Sequence, residues 1–202
     1  MKVNNAWIGI VAVVLSVATI IIIAEMRTDG YNHAHKAVSE LGSSDAPNKW
    51  AFNILGYFIP GLLIALFAFN LKNHFIIPMK TYPFYFLLLS GLFYGLAGLF
   101  AADMNNRNSF NTVMHLIGSM GSGLFWLFSG LTLWWQLKKD KGWKMVAIIT
   151  LIILIITIFT MGLVPKYLPG IAQRIGFGGY YLFILVLAFK LSKQLSAVKI
   201  SD

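Results

Sequence analysis

Long apolar runs separated by short polar connections dominate the chain. A helix needs about 20 mostly apolar residues to cross a hydrocarbon core roughly 30 Å thick. Six segments meet this length, at residues 6–25, 50–70, 83–102, 112–135, 145–163 and 174–192. None alternates apolar and polar residues as a barrel strand does, and a helix satisfies its own backbone in lipid. The pattern predicts an all-α, polytopic membrane protein with one domain over residues 1–202, folded as a six-transmembrane-helix bundle.

The composition agrees with this interpretation. Hydrophobic residues make up 58% of the chain and charged residues 11%, outside the usual range for a soluble domain. The first run follows Lys2 but is longer than a signal-peptide core, and it ends at Glu25 without a small-residue cleavage site. We therefore expect it to remain as the first helix. The absence of cysteine excludes disulfides, thiolate metal ligands and cysteine nucleophiles.

The 16 lysines and arginines divide unevenly between the two ends of the predicted bundle. Ten lie at the termini and in the second and fourth connections, and six lie in the other connections or beside them. Because lysine and arginine favour cytoplasmic loops, we expect cytoplasmic termini in a cell (plasma) membrane, with extracytoplasmic connections at 26–48, 103–111 and 164–173. Most of the basic residues behind the net charge of +9 then lie on the cytoplasmic face, where they contact anionic lipid head groups. Membrane lipids are the expected partners, nucleic acid is not, and assembly into a homo-oligomer is left open.

Proline and glycine positions predict how the helices pack. Pro60 and Gly61 fall inside the second helix, where the missing N–H of proline should kink it. The segments SGLFYGLAG (90–98) and GSMGSG (118–123) place small residues on one face of the third and fourth helices, which permits close contact with a neighbour. The segment GFGG (176–179) lacks the strand and spacing of a dinucleotide-binding loop, so we interpret it as packing too.

Polar side chains with chemical potential gather on the predicted extracytoplasmic side. The longest connection contains two histidines, and Asp103, His115 and Arg174 lie at or just inside predicted membrane boundaries, where an unpaired charge is costly. In a compact bundle these ends should converge on one mouth. The candidate residues are Arg27, His33, His35, Ser39, Glu40, Asp103, His115 and Arg174.

Two of the chemistries that fit these residues are catalytic or metal-dependent. His33, His35, Asp103 and His115 are suitable zinc ligands, but His-x-His in a loop is an unspecific signal, so no metal or other cofactor is favoured. Acyl-transfer chemistry could use Ser39 or a metal-bound water as nucleophile, His115 as general base and Asp103 to orient it. The segment around Ser39 does not resemble a nucleophile elbow.

The third interpretation is structural. Arg27 and Arg174 would pair with nearby carboxylates, while Ser39 and His115 satisfy backbone groups at helix ends. In a functional variant of it, Arg27, Glu40 and Arg174 hold a lipid head group or a small polar ligand.

The segment AVSELG (37–42) predicts a short helical turn inside the longest connection. Ser39 should accept amide hydrogen bonds, and Gly42 should end the turn in the left-handed conformation. A connection folded back in this way would cover the mouth of the bundle, with Ser39 and Glu40 facing it.

A series of short motifs occurs in order along nearly the whole chain. They are Arg27, VSELG (38–42), AP (46–47), Asn53, Gly56, GLFAAD (98–103), His115 and GIAQRIG (170–176). In this order the chain resembles the bacterial and archaeal membrane family catalogued as domain of unknown function 998. It is more distantly similar to the damage-regulated autophagy modulator group, which also has a Ser-x-x-Gly…Pro loop after its first helix.

The two resemblances imply different things. The first implies a six-helix fold without an established activity, and the second favours lipids as the ligand class. The chain lacks the late His-x-x-x-His pair and the seventh helix of zinc-dependent ceramidase-like hydrolases. Their zinc site is therefore not carried over.

We accordingly expect an integral membrane protein that binds or handles a lipid or other amphiphile through the extracytoplasmic polar cluster. The alternative is a membrane-embedded hydrolase or acyltransferase that uses Asp103 and His115 with Ser39 or a metal-bound water. A proton-coupled transporter fits less well, because the second and fifth helices carry no mid-membrane carboxylate or histidine.

Overall fold

In the part of the chain that the structure describes, six helices are each long and apolar enough to cross a membrane, and together they form the bundle. The computed structural model describes residues 5–72 and 80–201, with side chains as far as residue 194. The helices are α1 (Ala6–Glu25), α2 (Lys49–Leu71), α3 (Tyr82–Leu99), α4 (Phe110–Leu137), α5 (Lys144–Leu163) and α6 (Pro169–Ser201). Over these described ranges every regular element is helical, which confirms the predicted all-α, six-transmembrane-helix fold and the pattern of a multi-pass membrane protein.

The start of α6 is the clearest difference from the predicted boundaries. This helix begins at Pro169, five residues before the predicted start at 174. Proline is tolerated in the first turn, because the N–H it lacks would have no intrahelical partner there. The earlier start places Gln173 and Arg174 within helical turns, and their side chains therefore have fixed directions.

The helices form a ring in chain order. Each packs against its neighbours in sequence, and α1 closes the ring by packing against α6. Gly9 of α1, for example, lies against Phe67 of α2 and Ile184 of α6, both of which are fully buried. The contacts of α3 with α2 and α4 are the most extensive, while α5 is held less extensively by α4 and α6.

Small residues bring α2, α3 and α4 into close contact, as predicted. A Cβ atom on Gly61 would overlap the backbone of Gly91 and Gly95, and one on Gly118 would overlap the backbone of Ala97. Gly123 is an exception within its segment, since a Cβ there would meet nothing within 4 Å. This glycine leaves an open space in place of a packed contact.

The irregularity expected around Pro60 takes the form of a wide, π-helical turn over Asn53–Phe58, just before the proline. Pro60 has no N–H to donate to the carbonyl of Gly56, four residues earlier. Ser16 Oγ of α1 donates to that carbonyl at 2.7 Å, and Tyr94 Oη of α3 donates to it at 3.1 Å. The proline therefore frees a backbone acceptor that ties three helices together.

Candidate functional site

The connection between α1 and α2 folds back over one end of the bundle, here called the loop face, which also carries residues 100–109 and 164–168. Val38–Gly42 forms a single 3₁₀ turn in which Val38 and Leu41 are fully buried, which confirms the predicted turn and its return into the bundle. The prediction for Gly42 is wrong, because among the described residues only Gly30 has a positive φ. Gly42 is needed for space, since a Cβ would overlap Asn53, whose Nδ2 donates to the Gly42 carbonyl at 2.9 Å.

Arg174 fixes this connection against α6. Its Nη1 donates to the carbonyl oxygens of His33 (2.7 Å) and Gly170 (3.1 Å). Its Nη2 lies 3.1 Å from Tyr31 Oη and 2.8 Å from His33 Nδ1. The backbone N–H of Gly170 donates to the carbonyl of Ala34 at 3.1 Å. The guanidinium is thus engaged with the protein itself.

Arg27 and Glu40 are also bonded within the connection. Arg27 forms an ion pair with Asp29 and donates from Nη1 to the Glu40 carbonyl at 3.2 Å. The hydrogen bonds from Arg27 hold the pKa of Asp29 below its ordinary value. Glu40 accepts from the Ala37 N–H at 2.8 Å and pairs with Lys36 Nζ at 3.2 Å. The charges of this cluster therefore compensate one another.

Asp103 and His115 stabilise the junction between α3 and α4. Asp103 Oδ1 accepts from the N–H groups of Asn105 (2.9 Å) and Asn106 (3.2 Å), which closes the turn after α3. His115 is buried, and its Nδ1 donates to the carbonyl of Ala97 at 2.9 Å. Ala97 lies in the last turn of α3, where carbonyl groups lack intrahelical donors.

The catalytic arrangement considered from the sequence is not assembled by these contacts. Ser39 bonds to Gln173, with its N–H 3.1 Å from Oε1 and its Oγ 3.4 Å from Nε2. In the part of the chain that the structure describes, no hydrogen bond joins Ser39, Asp103 and His115 to one another.

The weak metal candidates are also engaged elsewhere. His33 Nε2 lies 3.5 Å from a carboxylate oxygen of Glu25, and His35 Nδ1 lies 3.1 Å from the Tyr167 carbonyl. Residues 5–72 and 80–201 contain no group of three or more histidine, cysteine or acidic side chains placed to hold a metal ion. His74 lies outside the described residues.

Ser39 and Gln173 line a cavity of about 280 Å³ inside the bundle. The turn Val38–Gly42 and every helix except α1 contribute to its walls, which are mostly apolar. Its volume is close to the lower end of the roughly 300–1,000 Å³ typical of small-molecule sites. None of the described residues that line it is Asp, Glu, Lys, Arg or His.

The cavity reaches the side of the bundle at α4 and α5, which supply the exposed part of its wall. Farther from the loop face, these helices touch where Leu154, about midway along α5, packs against Gly130 of α4. Nearer the loop face, Gly123 of α4 and Ile158 and Met161 of α5 line the cavity and are also exposed on the outside of the bundle. The opening therefore lies on the apolar surface of the helices.

The aromatic groups of the cavity wall differ in their hydrogen bonding. Tyr180 Oη lies 3.0 Å from Ser90 Oγ, and Tyr94 Oη lies 2.7 Å from Tyr181 Oη, so both hydroxyls are engaged. Trp126 lines the cavity and is buried, but its Nε1 has no acceptor among the described residues. The hydroxyl of Tyr57 is likewise engaged by none of the described hydrogen bonds.

Apart from Ser39, the cavity residues were missed in the sequence, although a signal for them exists. Gln173, Phe177 and Tyr180 follow one another at helical spacing, so they share one face of α6. Ser122 and Trp126 share a face of α4 for the same reason. The signal is therefore a repeat of polar and aromatic residues along one face of an apolar helix, which contains no charged group.

Comparison with known proteins gives one match. Neither the curated proteins nor the solved structures include one that matches the chain. A family model described as "Protein of unknown function (DUF998)" matches residues 10–190. This segment begins inside α1 and ends inside α6, so it includes the folded connection, His115 and the cavity. Because the match spans most of the chain and all six helices, this membrane protein belongs to the DUF998 family.

Proposed function

We propose that this protein binds a lipid or another amphiphile, whose apolar chain occupies the cavity. The observation that supports the proposal is a mostly apolar cavity of about 280 Å³ whose exposed wall lies on α4 and α5. A chain entering there would meet apolar walls and, at the turn Val38–Gly42, the Ser39–Gln173 pair. The distant likeness to the damage-regulated autophagy modulator group favours the same ligand class.

Orientation and location form part of this proposal. The uneven division of lysine and arginine supports cytoplasmic termini and an extracytoplasmic loop face. The bacterial or archaeal source that the family resemblance implies would make the membrane the cell membrane. The cavity would then open into the outer half of the bilayer, because it lies nearer the loop face.

The proposal is tested by filling the cavity. Gly123→Leu adds a side chain where a Cβ meets nothing within 4 Å, so the helix should tolerate it while the leucine occupies the cavity. Gly178→Leu is the matched control, because a Cβ on Gly178 also meets nothing within 4 Å and this glycine does not line the cavity. Both changes favour helix formation to a similar extent.

The measurement is native mass spectrometry of delipidated protein with 1-oleoylglycerol, oleyl phosphate and oleyltrimethylammonium, which differ in head-group charge. We expect one-to-one binding of at least one of these lipids to the wild-type protein and to Gly178→Leu, and binding at least tenfold weaker to Gly123→Leu. Absence of binding to the wild-type protein, or equal binding to both variants, would contradict the proposal.

The hydrolase or acyltransferase alternative lacks comparable support. Ser39 faces the cavity, but its described partner is the amide of Gln173, which is not a base. His115 donates to a backbone carbonyl and does not line the cavity.

A further inference from the structure

We infer that the occupant of the cavity is uncharged and carries a hydrogen-bond acceptor of the carbonyl type, as in an ester, ketone or amide lipid. This inference rests on the proposed function and specifies the ligand class of the same site. It departs from the expectation that Arg27, Glu40 and Arg174 hold a lipid head group or a small polar ligand.

The first argument is the absence of a counter-charge. Along the described wall of the cavity there is neither an acidic nor a basic side chain, apart from tyrosine hydroxyls. Arg174, one residue beyond Gln173, directs its guanidinium to Tyr31, His33 and Gly170. A phosphate, carboxylate or ammonium group drawn into the cavity would therefore be buried without a partner, which strongly disfavours it.

The second argument is an unused donor. The Tyr57 hydroxyl can donate, and buried polar groups almost always have a partner. Tyr57 lines the cavity, and its hydroxyl is engaged by none of the described hydrogen bonds. Trp126 Nε1 has no acceptor among the described residues either, but it is enclosed by protein atoms and does not face the cavity. An acceptor on the ligand would satisfy the Tyr57 hydroxyl, whereas a purely hydrocarbon ligand would leave it unpaired.

The neighbouring hydroxyls show why the donors matter. Ser90, Ser122 and Tyr180 bond to one another, and Ser16, Tyr94 and Tyr181 form a second closed group. These groups are satisfied within the protein and do not require a ligand. The selectivity of the cavity therefore depends on the few groups that remain unpaired.

Head-group charge is tested with three lipids that share one 18-carbon chain. These are 1-oleoylglycerol, which is uncharged and carries an ester carbonyl, oleyl phosphate and oleyltrimethylammonium. We expect the dissociation constant of 1-oleoylglycerol to be at least tenfold lower than those of the two charged lipids. Equal or tighter binding of a charged lipid that Gly123→Leu abolishes would overturn this inference and leave the proposed function standing. If none of the three binds, the proposed function fails and this inference falls with it.

The donor is tested by Tyr57→Phe, which keeps the aromatic ring and removes the hydroxyl. We expect about fivefold weaker binding of 1-oleoylglycerol, the worth of roughly one hydrogen bond. Binding of the ether analogue 1-O-oleylglycerol, which has no carbonyl, should change less. Tyr85→Phe is the control, because Tyr85 is exposed and does not line this cavity.

An equal effect of Tyr57→Phe on the ester and ether lipids would show a packing role for this ring and overturn the assignment of a carbonyl acceptor. Thermal unfolding of each variant in detergent identifies any loss of binding that comes from misfolding.

Discussion

At the scale of a single residue, His115 shows that a buried ionisable group can be explained by one backbone contact. Its Nδ1 donates to the carbonyl of Ala97, and its ring lies edge-on to Tyr57 with centroids 5.8 Å apart. The first contact joins α4 to α3, and the second joins α4 to α2. The position of His115 near a membrane boundary could be read from the sequence. Its hydrogen-bond partner could not be predicted, because every residue has a backbone carbonyl and the residue type does not show which carbonyl accepts.

We expect His115→Phe to lower the free energy of unfolding by about 1–3 kcal/mol, because the buried Ala97 carbonyl would lose its donor. Lipid binding should stay within about twofold of the wild-type value, since His115 does not line the cavity. Unfolding by titration with a denaturing detergent measures the first quantity. His35→Phe is the control, because His35 is exposed. Unchanged stability together with lost binding would instead indicate a direct role in the site.

At the scale of elements, the connection between α1 and α2 behaves as part of the bundle. Val38 and Leu41 are buried, and Arg174 and Gly170 of α6 hold residues 31–36 through several hydrogen bonds. The turn itself could be predicted from the segment AVSELG. Its attachment to α6 could not, because that depends on the helix starting at Pro169, and helix ends are weakly specified by sequence.

Arg174→Lys should loosen this attachment. Lysine keeps the charge but lacks the planar fork that reaches several acceptors at once. We expect amide hydrogen exchange in residues 31–42 to become at least about tenfold faster, as a local opening reaction becomes easier. Arg107→Lys is the control, because Arg107 is exposed in the turn after α3. The same exchange rate in both variants would show that the buried residues of the turn hold it without the arginine.

The cavity marks the limit of prediction at this scale. Helical spacing shows that Ser122 and Trp126 share a face with other small and aromatic residues, but not how far that face lies from α5. Gly118 and Gly123 occur in one glycine-rich segment, yet the first packs against backbone and the second faces open space. Residues five apart on an α-helix point about 140° apart, so the two glycines face different directions. That α3 meets the first while no helix meets the second depends on where the other helices lie, which the residues of α4 do not encode.

At the scale of the whole molecule, the apolar runs predict six spans and the charge distribution predicts their orientation. The spans are confirmed in the described ranges, and the orientation stays a prediction. It can be tested directly because the chain has no cysteine. A single introduced cysteine is then the only thiol of the protein that can be labelled, so labelling shows on which side of the membrane that residue lies.

We expect Asn108→Cys, in the exposed turn before α4, to react with a membrane-impermeant maleimide in intact cells. Gly142→Cys, in the exposed connection between α4 and α5, should react only after the membrane is permeabilised. Both substitutions leave the distribution of charge unchanged, so they should not alter insertion. The reverse labelling pattern would place the loop face in the cytoplasm.

The side opening between α4 and α5 determines which concentration controls the fraction of cavities that hold a ligand. A ligand that enters there comes from the bilayer, where its chain is already in an apolar medium. Moving that chain into the cavity then gains little hydrophobic free energy, because lipid tails are as apolar as the cavity wall. The effective concentration is therefore the mole fraction of the ligand among the surrounding lipids, not its amount in water. Occupancy should follow membrane composition and fall when the lipid phase is diluted with another lipid or detergent.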